Sequence, residues 1–503
     1  MKFALISLSS TSTIVKTPFR ASIGYNKSQG IVKTSDYERL TYSLKLSPKF
    51  FDDHLKIEFN AKGTLSIKNA IDEGGALGGA IAMDPTKPIY DDSVGNRFGG
   101  FYQGTIADGN NLILDGQWNP LAVLEQRQRP ERASRFLGNV EFDYKMHFLP
   151  ELRAVVNLGL DASRSRISES YANNSIATYR FDTTNSDINS NYLFNPGKNY
   201  QESQHRDNTT LDAYLAYAKN LGGVIKKFDV QAGYSYQNFD TSGSNESNLQ
   251  DPNIAQSSDY SNVLNLQSFF GRVNYTLSDK YLFTATLRAD GSSAFPEANR
   301  YGYFPSGAFA WKLNEEDFMS DSNMSTLKLR LSAGVTGNQE GVGYGNYVNR
   351  SRWNGLNPQN NGNIDLNNGN GIVSFGGNDL KWESTLQYAT GLDFGFNNDR
   401  LSGSIDVYRK ETQDLLFLVD EAQPVILAQK FRNLPDSKIV NQGVEFSLGY
   451  DLVQSEDFNW SANFNVAYND NMVESLSGQY DFANVNGPGL SGAFAMRLQE
   501  GYS

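Results

Sequence analysis

SFFGRVNYTLSDKYLFTATLRAD, residues 268–290, decides the fold. Val273, Tyr275 and Leu277 alternate with Arg272, Asn274 and Thr276. After Ser278-Asp279-Lys280 the alternation resumes: Tyr281, Phe283, Ala285, Leu287 and Ala289 on one face, Thr284, Thr286, Arg288 and Asp290 on the other. A period of two on both sides of a short polar turn predicts an antiparallel hairpin. The polar face is too charged for a packed sandwich core, and the apolar face is too rich in aromatic and aliphatic side chains to sit in water. A sheet apolar outside and polar inside is the pattern of a transmembrane β-barrel.

Outward from this stretch, the same alternation predicts about sixteen strands. They cover 3–9, 18–26, 37–46, 55–69, 132–146, 152–167, 209–220 and 228–239, then 266–277, 281–290, 301–313, 327–335, 383–397, 401–411, 438–450 and 458–469. A partial strand begins near Ala493. The connections alternate in length. Those at 47–54, 147–151, 221–227, 278–280, 398–400 and 451–457 are tight; those at 70–131, 168–208, 240–265, 336–382, 412–437 and 470–492 are long. Segments 291–300 and 314–326 blur the parity. Short turns on one rim and long loops on the other are expected of an outer-membrane barrel. The long loops are rich in Asn, Gly, Asp, Ser and Tyr, which suits mobile surface segments and also sugar or peptide contacts.

Composition is compatible with this reading. The 503 residues are 20% charged and 13% aromatic, with 27 Tyr and 31 Phe, at a mean hydropathy of -0.49. That balance suits aromatic girdles around a wet lumen, and equally a secreted carbohydrate-binding β protein. A net charge of -12 argues against nucleic-acid partners. With no cysteine, thiolate metal sites and disulfides are excluded. No apolar run reaches the ~18 residues of a membrane helix. The opening MKFALISLSS reads as a strand rather than a signal peptide.

The motifs are more specific than the pattern. Phe270-Gly271-Arg272, Asp279-Lys280-Tyr281-Leu282, Arg288-Ala289-Asp290-Gly291-Ser292-Ser293 and Arg300-Tyr301-Gly302-Tyr303-Phe304-Pro305-Ser306 occur in order. Trp311, Leu327-Lys328-Leu329-Arg330, Gly334-Val335-Thr336-Gly337-Asn338-Gln339, Leu380-Lys381-Trp382-Glu383, Gly391-Leu392-Asp393-Phe394-Gly395-Phe396 and Gln442-Gly443-Val444-Glu445-Phe446 follow. Nearer the start lie Pro18-Phe19-Arg20-Ala21-Ser22, Thr34-Ser35-Asp36-Tyr37-Glu38-Arg39 and Asp84-Pro85-Thr86-Lys87-Pro88-Ile89-Tyr90. Together they resemble the barrel of SusC/RagA-type TonB-dependent outer-membrane transporters.

The resemblance implies an all-β, antiparallel transmembrane β-barrel in a Gram-negative outer membrane, here part of a larger barrel. Residues 1–503 would form one partial barrel domain, a fragment without the plug and amino-terminal domains. It implies import of oligosaccharides or peptides, a SusD-like surface lipoprotein as lid, outer-membrane lipid around the wall, and the TonB complex acting through an amino-terminal region not seen here. A passive porin and a soluble secreted glycan-binding β protein are the alternatives.

No residue is assigned a catalytic, cofactor or metal role. His54 and His147 fall in predicted turns and His205 in a predicted loop, without metal-ligand spacing. Gly341-Val342-Gly343-Tyr344-Gly345 lacks the helix a phosphate loop needs, and Asp365-Leu366-Asn367-Asn368-Gly369 lacks the carboxylates of a calcium loop. Glu315-Glu316-Asp317 reads as a solvated acidic turn. Arg272, Arg288, Lys328, Arg330, Asp290, Asp393 and Glu445 form the expected inner wall. Among loop aromatics, Trp118, Tyr347 and Trp353 are the substrate-binding candidates, against the simpler reading that they pack the loops together.

Overall fold

The computed structural model describes residues 2–14, 17–92, 97–109, 111–182, 184–188, 190–248, 255–340, 352–353, 373–374, 379–420, 429–476, 483–486, 494–498 and 500–502. Among these, sixteen strands have eleven residues or more. They are β1 (Lys2–Ile14), β2 (Thr17–Gln29), β3 (Asp36–Leu46), β4 (Leu55–Asn69), β5 (Pro130–Met146), β6 (Leu149–Tyr171), β7 (Gly197–Asn220) and β8 (Ile225–Ser247). The rest are β9 (Gln256–Leu277), β10 (Tyr281–Ser292), β11 (Tyr301–Lys312), β12 (Met324–Asn338), β13 (Glu383–Phe396), β14 (Leu401–Gln413), β15 (Ser437–Gln454) and β16 (Asn459–Leu476). Two compact units divide the chain: Met1–Phe142, Asn157–Thr210 and Phe239–Asn262 make the first, Asp143–Val156, Leu211–Asn238 and Val263–Ser503 the second.

In the second unit, β9 to β16 pair antiparallel in chain order. Their tight turns use residues that tolerate a left-handed backbone. Ser278 and Asp279 have φ of 49° and 60°, and Asn397, Asn398 and Asp399 have 52°, 56° and 60°. Short polar side chains that bond their own backbone reduce the cost of that conformation. Turns fix register, and register fixes faces. Phe283, Phe309, Leu331, Thr390, Val407, Val444 and Tyr468 stand in one continuous row across the seven strands from β10 to β16. Val273, Tyr275, Leu287, Phe464 and Val466 share their face; Arg272, Arg288, Arg330, Asn463 and Asn465 point the other way. The apolar face is uncovered, with Leu287 56% and Phe464 57% exposed.

The first unit repeats the pattern. Phe19, Ala21, Ile23 and Tyr25 of β2 oppose Leu46, Leu44, Tyr42 and Leu40 of β3, and Leu40 and Leu44 oppose Leu65 and Ala61 of β4. Gly63 of β4 faces Tyr42. A Cβ there would collide with the Tyr42 ring, so glycine lets the ring lie across the neighbouring strand.

Two expectations change, and a third is met. First, the ladders run past the alternation: β6 ends at Tyr171 rather than 167, β7 begins at Gly197 rather than 209, and β8 and β9 extend to Ser247 and from Gln256. His205 therefore lies in a strand, not a loop. In GKNYQESQHR, the start of β7, both faces are polar, so pairing continues where the periodic signal has vanished.

Second, segment 70–131 is folded rather than loose. It holds helices α1 (Glu73–Ala82) and α2 (Pro120–Glu125) and a hairpin of Gly104–Asp108 with Asn111–Asp115. Buried Phe98, Ala122 and Ile176 pack with Phe101, Leu114, Tyr179 and Phe194, so segments 97–125 and 172–196 share one small core. Third, the strand expected near Ala493 is Phe494–Leu498, which pairs with Ala483–Asn486.

Candidate functional site

Two features could meet a solute: the polar face of the second unit's sheet, and the folded loop structure of the first. On the polar face the centre is Arg330. Its guanidinium donates to Asp393 at 2.7 and 3.0 Å and reaches Asp406 at 2.8 Å. Register explains both contacts. Arg330 opposes Gly391, and Gly391 opposes Asp406. A Cβ on Gly391 would strike Asp406 and the guanidinium, so glycine lets Arg330 bridge across a whole strand. Lys328 adds a 3.9 Å contact to Asp393. Farther along the same face, Arg288 donates to Asp290 at 2.6 Å and to Ser268 at 2.8 Å.

Of the expected wall residues, Lys328, Arg330 and Asp393 are therefore brought together, and Arg288 with Asp290 forms a second pair. Arg272 and Glu445 form no ion pair among the described residues. Asp406 was missed by sequence reasoning. The signal was its alternation with Ser402, Ser404 and Tyr408 in β14, which puts it on the polar face. Charges satisfied by one another make this wall polar without making it a strong binder for any one ion.

The acidic turn is a further correction. Glu316 accepts from Lys280 Nζ at 2.9 Å, Tyr281 Oη at 2.7 Å and Trp311 Nε1 at 2.8 Å. These donors, the Tyr281 hydroxyl first, hold its carboxyl down at about 2. It ties the turn before β10, the start of β10 and the end of β11 together rather than pointing into solvent.

In the first unit, Asn119 organises the loop fold. Almost fully buried, it caps α2 by accepting from the Leu121 and Ala122 amides, and its Nδ2 donates to the Ile89 and Tyr102 carbonyls at 2.7 and 3.1 Å. Gln126 does the same for the core segment, donating to Phe98 O and accepting from Ile176 N. At the base, Glu169 accepts from Arg127 at 2.7 Å and Tyr171 at 2.6 Å, with Arg129 Nε at 3.1 Å. Trp118 is 40% exposed and, with Asp72, Arg127, Tyr171 and Ser175, lines a cavity of about 110 Å³. Tyr347 lies outside the described residues. Trp353 lies in a two-residue strand with Arg352, paired with Val373–Ser374, and its side chain is outside what is described. The segments 341–345 and 365–369 also fall outside. Among the described residues, no group of His, Cys, Asp and Glu side chains is placed to hold a metal.

Comparison with known proteins adds independent findings. A model of the TonB dependent receptor-like β-barrel matches residues 84–497. The chain is 36% identical over 490 residues to the TonB-dependent receptor SusC of Bacteroides thetaiotaomicron, covering 92% of this chain and 46% of that protein. It is 29% identical over 487 residues to TonB-dependent receptor P3 of Formosa agariphila, covering 92% and 45%. Among solved structures, the RagAB peptide transporter superposes with a TM-score of 0.70 at 20% identity, covering 95% of this chain and 52% of that one. The chain spans about half the length of the relatives it matches.

Proposed function

Since this chain belongs to the TonB-dependent receptor-like β-barrel family, as a SusC/RagA-type outer-membrane barrel region, we propose that it serves an energised importer of oligosaccharides or peptides. The family is one of transport receptors, not enzymes. The observation that carries the proposal is the match to SusC over 92% of the chain. The two faces support it. An uncovered apolar face suits lipid, which disfavours a soluble glycan-binding protein, and a polar face of paired charges suits a wet lumen.

The folded loop structure of 70–131 and 172–196 is the proposed contact surface for solute and for a SusD-like lipoprotein. Its core and caps give it a fixed shape, which recognition needs and a mere shield does not. The TonB complex would act through a part of the protein other than these residues. The sixteen strands are proposed as part of the barrel wall, since the relatives are about twice as long. A structure of the complete receptor with β1 hydrogen-bonded to β16 would refute that last point.

The test replaces residues 73–125 of the complete receptor with a short Gly/Ser linker, in cells with and without TonB. Expected are lost lipoprotein co-purification, lost uptake and a barrel that still shows heat-modifiable mobility. Unchanged uptake and co-purification in a correctly assembled variant would remove the loop from recognition. Uptake by the unaltered receptor that persists without TonB would make the protein a passive pore.

A further inference from the structure

The uncovered apolar face of the first unit changes character along its strands. Near mid-strand it carries Ile23, Tyr42, Leu44 and Leu160, all exposed. Toward the ends remote from the tight turns it becomes basic. Hydrogen bonds on the opposite face align β5 with β6: Asn139 donates to Asn157 at 3.1 Å, and Arg135 donates to Asp161 at 2.7 Å. Arg132 lies three residues beyond Arg135, and Arg164 three beyond Asp161. An odd offset crosses to the other face, so Arg132 and Arg164 stand level on the apolar side. Arg166 follows on the same side of β6.

These arginines rim a groove of about 570 Å³ whose floor is Tyr25, Leu40, Leu65 and Ile67. His205 of β7 also lines it. Arg164 is held by Asp207 through two bonds of 2.8 and 2.7 Å. Arg132 and Arg166 are exposed and form no ion pair among the described residues. The one acid lining the groove, Glu38, is taken by Lys27. Like charges level on adjacent strands repel unless an anion lies between them. A net excess of cations in a chain of charge -12 is a local feature, not a reflection of composition.

We propose that this groove binds a phosphorylated lipid of the outer leaflet, its phosphate between Arg132 and Arg166 and an acyl chain along Leu40 and Leu65. The proposal rests on the reading of the apolar face as membrane-facing. Arginine forks match phosphate oxygens in pairs, and an aromatic such as Tyr25 suits the boundary between apolar band and headgroups. A second groove, of about 1080 Å³ on the apolar face of the other unit, provides the contrast. There Arg409 donates to Gln442 at 2.8 Å and to Glu411 at 2.8 Å, and Gln442 donates to Asp470 at 3.1 Å. Its lone arginine is already satisfied, so that groove offers an acyl surface without a free cation.

The test uses the complete receptor, delipidated in non-ionic detergent and titrated with mixed micelles carrying fluorescent lipid A or its dephosphorylated form. The phosphorylated lipid is expected to bind about tenfold tighter. The double variant Arg132→Gln, Arg166→Gln should lose that preference, Arg409→Gln should keep it, and inorganic phosphate should not displace the lipid. Equal binding of the two lipids, or an unchanged preference in a double variant whose heat-modifiable barrel is intact, overturns the proposal. Displacement by inorganic phosphate alone overturns the lipid as its source. A receptor that stays dispersed without detergent overturns the membrane-facing reading, and the groove with it.

Discussion

Ile405 and Ser404 are neighbours in β14 on opposite faces, and exchanging each for arginine measures which face meets lipid. Ile405 is 40% exposed and stands between Leu392 and Phe446 in register. Leu401, Gly403, Ile405 and Val407 carry the apolar side of the strand, and Arg409 ends it. From Leu401 to Arg409 is about 27 Å at roughly 3.4 Å per residue, or about 20 Å along the membrane normal at a tilt of about 40°. Ile405 falls at its middle, where an arginine in lipid costs about 2–4 kcal/mol. That is roughly a 30- to 700-fold loss in the folding equilibrium. Ser404 lies opposite Asp393 and Ser447, and its hydroxyl is 2.9 Å from that of Ser447. Ser404→Arg forfeits that bond, about 1 kcal/mol, but gains a carboxylate neighbour in Asp393. Folding of the complete receptor into phosphatidylcholine vesicles at graded urea, read by heat-modifiable mobility, gives both values. A penalty for Ser404→Arg equal to or larger than that for Ile405→Arg would refute the assignment of faces.

Two further predictions concern knots of hydrogen bonds. The Glu316 carboxyl is held at about 2, below the usual carboxylate range, so its contribution to stability is fully present above about pH 4.5. It is lost as pH falls toward 2, and Glu316→Gln should narrow the gap in urea midpoint between pH 7 and pH 3; an unchanged gap would contradict the Glu316 geometry. Asn119→Ala removes a helix cap worth about 1 kcal/mol and leaves two carbonyls unpaired at about 1–3 kcal/mol each. The loop structure should become sensitive to limited proteolysis within 70–131 while the barrel keeps its mobility shift, and equal protease resistance of both forms would show that Asn119 does not hold that fold.

What the sequence made legible was whatever repeats with period two. Val273 against Arg272 and Phe464 against Asn463 could be assigned because one apolar and one polar side chain alternate over several residues. The start of β7 could not, because GKNYQESQHR presents no apolar side although its backbone is paired. The loop core was hidden for another reason: Phe98, Ala122 and Ile176 come from segments far apart in the chain and share no period. Asp406 could be placed on a face but not beside Arg330, because its neighbours depend on register, which the turn at Asn397, Asn398 and Asp399 sets. Glu316 looked like its flanking acids. Only the register of Tyr281 with Trp311 brings three donors to it.

The charge arrangement on the polar face bears on where selectivity resides. A solute that bound tightly to Arg330 would have to displace Asp393 or Asp406, leaving a partly desolvated carboxylate without its partner, which is costly. The same holds for Arg288, engaged by Asp290 and Ser268. In the importer proposed above, such a wall would offer exchangeable hydrogen bonds to water and solute alike and would permit passage without strong retention. The loop structure differs. Trp118 keeps an exposed ring beside a small cavity, and Asn119, Gln126 and Glu169 have their hydrogen bonds spent on holding the scaffold. An aromatic surface held rigidly loses little entropy on contact. In the importer proposed above, recognition would belong to the loops and conduction to the wall. Substitutions of Trp118 should therefore change which solutes are taken up, whereas substitutions of Arg330 should alter stability or rate with the order of preference among solutes retained.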